Sequence, residues 1–152
     1  TLSNRFSENK KLNEIEVTSG NTTYASYDGC LYSKDYTTLI HCPTAKTSIN
    51  FHAGITTIAQ KAFYCTSLTS VNVPEGVTEL GNQAFYHYLT VRSGNLTSVS
   101  LPSSLRTIGT ECFSHQSINS ITIPEGVETI PYSCFKGCSR LKSVTLPSTI
   151  NT

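Results

Sequence analysis

Apolar residues recur along this chain in one fixed order. In the stretch 96–113 they fall at Leu96, Val99, Leu101, Leu105, Ile108 and Phe113; in 118–135 they fall at Ile118, Ile121, Ile123, Val127, Ile130 and Phe135. Pro102 and Pro124 coincide in the same frame, 22 residues apart, and the next start, Leu141, lies 23 residues after Ile118. Leu68–Phe85 and Ser48–Phe63 follow the same order. Self-similarity at such a period marks a stack of repeats, because one unit cannot bury its own apolar stripe and its neighbours must supply the missing face.

Within a unit the pattern changes period, and each change predicts an element. L-x-x-V-x-V ends in strict alternation, which predicts a half-buried strand. The proline after it has no N–H and stops the ladder. V-x-x-I predicts a short extended piece, and Ala/Cys-Phe a tight helical turn on the outer side. Gly76 and Gly126 allow a positive φ in the turn after the proline. The expected fold is a curved solenoid of about six partial or full repeats, one domain over residues 1–152, with one parallel strand per repeat at ~4.8 Å spacing.

The chain opens and closes in mid-pattern: Leu2–Phe6 resembles Leu80–Phe85 less one residue, and the pattern stops after Ile150. Leu12–Val17 reads as a further strand, with Ile15 and Val17 inward and Glu14 and Glu16 outward. The frame is then lost over about 18–46. Asp28-Gly29 is a turn signal, and Cys30–Tyr32 and Thr37–Cys42 read as two strands of a protruding β-hairpin insert around Ser33–Tyr36. A second irregularity lies within 86–95: Phe85 to Leu96 is 11 steps, where Phe63 to Leu68 is 5. We read it as a loop expansion.

This frame resembles the BspA-like leucine-rich repeat family. The residues that carry the resemblance are Leu68–Phe85, Leu96–Phe113 and Ile118–Phe135, and the insert Asn21–Pro43 is similar to a hairpin variant found in such arrays. The resemblance implies a cell-surface or secreted protein of bacteria or unicellular parasites, associated with adhesion to host cells and matrix proteins. It carries no ligand residues over. The chain departs from the family pattern in three places. The cysteine three residues after the phenylalanine occurs only as Cys138, Cys65 comes one residue early, and the 86–95 expansion is unusual.

Composition narrows the function classes. A net charge of +1 gives no electrostatic ground for binding nucleic acid or an anionic membrane. No apolar run approaches the ~18–20 residues of a membrane helix, so no direct membrane insertion is expected. Of six cysteines, Cys112 and Cys134 stand where other units have Ala84 and Ala62, a site for a small buried apolar side chain, so they read as free core thiols. Cys30 and Cys42 sit on the two arms of the hairpin, and the sequence leaves open whether they are bridged.

Candidate binding residues come from two features. Outward strand positions line up as columns of small polar side chains, one of them containing Asn50, Asn72, Ser100 and Thr122. They suit hydrogen bonding to a protein or a glycan, or else the tight spacing of a parallel sheet. Tyrosines concentrate in the irregular segments, Tyr32 and Tyr36 in the insert and Tyr86 and Tyr88 in the expansion. Exposed Tyr buries much area at low entropic cost. Asn21 and Asn95 begin N-glycosylation sequons.

Catalytic and metal chemistry fare worse. Cys65, His87, His115 and Cys138 would stack as a column. A ladder spaces ligands by ~5 Å per rung, while one zinc needs four within ~2.3 Å. Ser139–Lys142 matches S-x-x-K only across a repeat junction, and no cofactor loop, HExxH or GxSxG occurs. The expected function is a non-enzymatic adhesion or protein-binding module with no cofactor. Its alternative is a structural spacer that displays another domain.

Overall fold

The computed structural model describes residues 2–7, 9–88 and 93–151. Each regular repeat contributes two extended pieces that join different ladders and close over one apolar cluster. The first ladder uses the L-x-x-V-x-V pieces. β5 (Ser70–Asn72) pairs in parallel with β7 (Ser98–Ser100), and β9 (Ser120–Thr122) with β10 (Ser143–Thr145). Val71 faces Val99 and Val144 faces Ile121, each flanked by exposed polar residues. The register is the one the apolar frame predicts.

The second ladder uses the V-x-x-I pieces and is more extensive than expected. β4 (Thr57–Ile58), β6 (Glu79–Leu80) and β8 (Thr107–Ile108) pair in parallel, aligning Ile58, Leu80 and Ile108 inward. They continue into the insert, where β3 (Thr38–His41) pairs in parallel with β4, and β2 (Cys30–Ser33) and β1 (Tyr24–Tyr27) follow as antiparallel strands. The sheet order is β1-β2-β3-β4-β6-β8.

The insert therefore does not protrude. The β2–β3 hairpin is present, but β3 takes a rung's place in the stack, with Leu39 opposite Ile58. Cys30, Tyr32, Leu39 and Cys42 all lie in the core. Apolar alternation on β3 suits a rung as well as it suits a free hairpin, so the chain pattern does not separate the two.

The same insert changes the first two predicted strands. Residues 12–17 and 48–51 form no ladder. The Ile15 N–H donates to the Gly29 carbonyl at 2.9 Å, and the Asn50 N–H to the Asp28 carboxylate at 2.7 Å. The Asp28-Gly29 turn is wedged between them, held also by Lys46 at 3.6 Å. Glu14 and Glu16 are exposed, as expected, and Ile15 and Val17 half-buried.

The expected helical turns are not helices. Among the described residues the one helical segment is the 3₁₀ turn Leu2–Arg5. The Ala/Cys-Phe stretches are runs of tight turns with positive φ at Lys61, Gln83, Glu111 and Ser133. Their N–H groups serve the stack: Phe63 donates to Ala84, Phe85 to Cys112 and Phe113 to Cys134 at 2.7–3.0 Å. A helix would direct those donors within its own turn. Gly76 and Gly126 do adopt φ of 100° and 95°.

The phenylalanines form the axis of the core. Phe63, Phe85, Phe113 and Phe135 stack in order with centroids 4.8, 5.4 and 5.7 Å apart and ring planes within 12°. Repeat spacing places the rings one above another, and offset stacking adds to the area they bury. Cys112 and Cys134 are buried free thiols beside them. Burial raises the Cys112 pKa and pushes that of Cys134 up to about 12.

Candidate functional site

Three surfaces present the predicted residues. The first is the outer face of β5, β7, β9 and β10, where Ser70, Asn72, Ser98, Ser100, Ser120, Thr122, Ser143 and Thr145 are all exposed. The Ser100 hydroxyl donates to the Asn72 amide oxygen at 2.5 Å. The face holds only small polar side chains and has no aromatic anchor. Asn50 is exposed but does not continue this face, since its N–H binds Asp28 and its side chain stands 3.5 Å from the same carboxylate.

The second surface is the insert. Tyr32, read from the sequence as an exposed contact residue, is fully buried. Its hydroxyl accepts the His52 N–H at 3.3 Å, and burial raises its pKa. Tyr32 lies on β2, which packs antiparallel against the rung strand β3, and Cys30, Leu31 and Tyr32 are all buried there. Tyr36 is half-buried and stacks on His52 at 4.3 Å, with Tyr27 edge-on to the same imidazole at 5.1 Å.

The third surface lies at the base of the 86–95 expansion, whose residues 89–92 fall outside the described ones. Tyr64 and Tyr86 from adjacent rungs stack at 5.6 Å, and Tyr88 is 57% exposed. Tyr64, Cys65, His87, Tyr88, Asn95 and Lys10 line a cleft of about 670 Å³. The expansion itself is clamped by a residue that the sequence does not single out. Gln116 is fully buried; its amide nitrogen donates to the Phe85 carbonyl at 2.5 Å, and its oxygen accepts the Leu96 N–H at 3.2 Å. It thus ties together the two ends of the expansion. A side chain at Gly94 would collide with the Gln116 amide, which explains glycine there. A polar residue directly after Phe-Ser-His, where an open surface would suit it equally, gives no signal of this clamp.

The Cys/His column does not converge. The Cys65 sulfur accepts the Tyr88 N–H at 3.4 Å, and the Cys138 thiol donates to the Phe113 carbonyl at 3.0 Å. His87 and His115 each keep a buried Nδ1 without a partner. Burial first, and His115 second, lower the His87 pKa. Among the described residues no three of His, Cys, Asp and Glu are placed to hold a metal, and no helix is long and apolar enough to cross a membrane.

The sequons are engaged locally. The Asn21 side chain accepts the N–H groups of Thr23 and Tyr24 at 2.9 and 2.8 Å. Asn95 is exposed and donates to the Thr66 carbonyl at 3.2 Å.

Parallel rungs of this length, stacked about an aromatic column, define a leucine-rich repeat protein. The chain matches the BspA type leucine rich repeat region in six copies, over residues 3–93 and 56–152. It belongs to that family, a group of non-enzymatic repeat modules. No curated protein matches it.

Among solved structures, a leucine rich cell surface protein of Faecalibacterium prausnitzii is similar at 29% identity and TM-score 0.82, over 97% of this chain and 39% of that one. A leucine-rich repeat protein of Eubacterium ventriosum shares 24% identity at TM-score 0.71, over 93% of this chain and 44% of that one. The pneumococcal vaccine antigen PcpA shares 23% at 0.69, over 92% and 40%. This chain spans less than half the length of each of the three.

Proposed function

We propose that this stretch is a non-enzymatic interaction module of a cell-surface or secreted protein, and that it docks a protein partner at the base of the 86–95 expansion. The observation that carries the reading is the exposed Tyr88 beside a cleft bordered by Tyr64, His87 and Asn95. Tyrosine next to a recess, with amide and imidazole groups at its rim, is the composition of an interface anchor. Family membership supports the non-catalytic, protein-binding role. Similarity to the leucine rich cell surface protein of Faecalibacterium prausnitzii supports the surface location. Adhesion to host cells or matrix, or to a glycan, belongs to the same proposal, as does a curved stack with the hydroxyl face of β5, β7, β9 and β10 concave.

The test is binding of the recombinant chain to a panel of immobilised matrix proteins and cultured cells. Tyr88→Ser is expected to lower binding roughly 10-fold with an unchanged circular dichroism spectrum. Asn72→Lys and Thr122→Lys probe the hydroxyl face in parallel. A spacer is the second reading, favoured by the Ser100–Asn72 bond, which turns two polar groups of the face toward each other. Binding that is indifferent to all three substitutions selects the spacer.

A further inference from the structure

We propose that Cys30 and Cys42 are a cross-strand redox pair, which oxidises to a disulfide that fastens the insert into the repeat stack. The pairing follows from register. β2 and β3 run antiparallel with Leu31 opposite His41, and continuing that register one step past the end of β3 sets Cys30 against Cys42. The Cys42 N–H donates away from β2, to the Ala62 carbonyl at 2.8 Å. That is the arrangement of a non-hydrogen-bonded antiparallel pair, in which the Cα atoms stand ~4.5 Å apart and the side chains are closest. This separation lies within the range a disulfide spans. Both residues are fully buried and both thiols are free.

The two side chains also address each other. The interaction with the Cys30 side chain comes before burial in raising the Cys42 pKa, and the Cys42 thiol also lies 3.9 Å from the Pro43 carbonyl. The other buried cysteines differ. At Cys112 and Cys134 the first cause of the raised pKa is burial, and no side-chain hydrogen bond to another cysteine acts on either. Proximity on a parallel stack has not made those two a facing pair.

The chemistry balances by exchange with a small-molecule disulfide. One cysteine thiolate attacks a sulfur of the oxidant and expels one thiolate, leaving a mixed disulfide. The second cysteine thiolate then attacks the protein sulfur of that mixed disulfide and expels the other. The pair gives up two electrons and two protons, and the oxidant leaves as two thiols. Because neither sulfur is exposed, exchange occurs while the hairpin closes during folding or opens locally. Oxidising surroundings, such as those of the proposed surface location, supply the oxidant. The geometry itself stands apart from that location.

The bond would close the segment from Cys30 to Cys42 and hold β2 on β3. It would thereby fix the stack of Tyr36 on His52, which lies on the outer side of the same hairpin.

The experiment refolds the whole chain in a glutathione redox buffer and, separately, under a phosphine reductant. After alkylation in denaturant, the oxidised sample is expected to yield one linked peptide pair, Cys30 with Cys42. Cys65, Cys112, Cys134 and Cys138 are expected to be alkylated. The thermal midpoint is expected to be roughly 5–10 °C higher than in the reduced sample. In Cys30→Ala, which leaves the second thiol buried, the two conditions are expected to give equal midpoints. Alkylation of both Cys30 and Cys42 after oxidative refolding overturns the proposal, and so does a linkage of either one elsewhere. Because the readout is covalent and made in vitro, its failure leaves the binding reading untouched, and loss of binding in Tyr88→Ser leaves this one untouched.

Discussion

His41 shows what a single position does in this stack. It is buried on β3, and its Nδ1 lies 3.0 Å from the Ser3 hydroxyl, which itself donates to the Lys61 carbonyl at 2.8 Å. Its Nε2 has no partner. Burial, opposed in part by the nearby Lys61 backbone, lowers its pKa from 6.5 to about 4. The folded value lies below the unfolded one, so the neutral ring's contribution is complete above 6.5 and drains away as pH falls toward 4. The shift corresponds to ~3 kcal/mol at most. Urea unfolding of the wild-type chain from pH 7.5 to 4 is expected to show this loss, and His41→Gln is expected to flatten most of it. Equal slopes for the two proteins would show that His41 is not the titrating group. Only the position of β3 makes His41 a core residue.

At the scale of elements, the turns after each proline form a second set of contacts between rungs. Glu75 accepts the Ser103 N–H at 2.8 Å and the Ser104 N–H at 3.3 Å. Glu125 accepts the Ser148 N–H at 3.0 Å and its hydroxyl at 2.9 Å. Ser104 and Thr149 return donors to the Val77 and Val127 carbonyls, both at 2.8 Å. Pro-Glu-Gly turns thus sit against Pro-Ser-Ser and Pro-Ser-Thr turns, a complementarity present in the residue string but unreadable until the stack sets which turns meet. Both carboxylates are held below the ordinary value of 4.5, first by the backbone N–H of Ser103 or Ser148. Their contribution is complete above that value and lost as pH falls beneath it. Between pH 5 and 3 the thermal midpoint of the wild-type chain is expected to drop further than that of the Glu75→Gln/Glu125→Gln double variant. Parallel curves would assign the acid sensitivity to other groups. In the insert, Tyr32→Ser would remove a core side chain, so Tyr88 is the informative tyrosine.

For the molecule as a whole, the aromatic column decides whether the repeats act as one body. Stability in such a stack is close to a sum of rung terms and nearest-neighbour terms. Phe113 is fully buried between Phe85 and Phe135. Phe113→Ala is expected to cost ~3–5 kcal/mol by urea unfolding, and to broaden the transition as the rungs on either side uncouple. A change near zero would show that the column is not core.

Periodicity alone determined the parallel register, the inward Val and Ile positions, the phenylalanine column and the small side chains of Cys112 and Cys134, because each is repeated and each repeat meets its own copy. Tertiary structure decided what has no copy in the chain. It made β3 a rung and so buried His41, laid β2 against β3 and so buried Tyr32, and wedged Asp28-Gly29 between residues 15 and 50. It also spread the turn N–H groups along the stack in place of helices, and set Gln116 beneath the expansion. A repeat predicts its neighbour because the two are alike; an insert depends on which surfaces happen to remain open, and that is a property of the assembled stack.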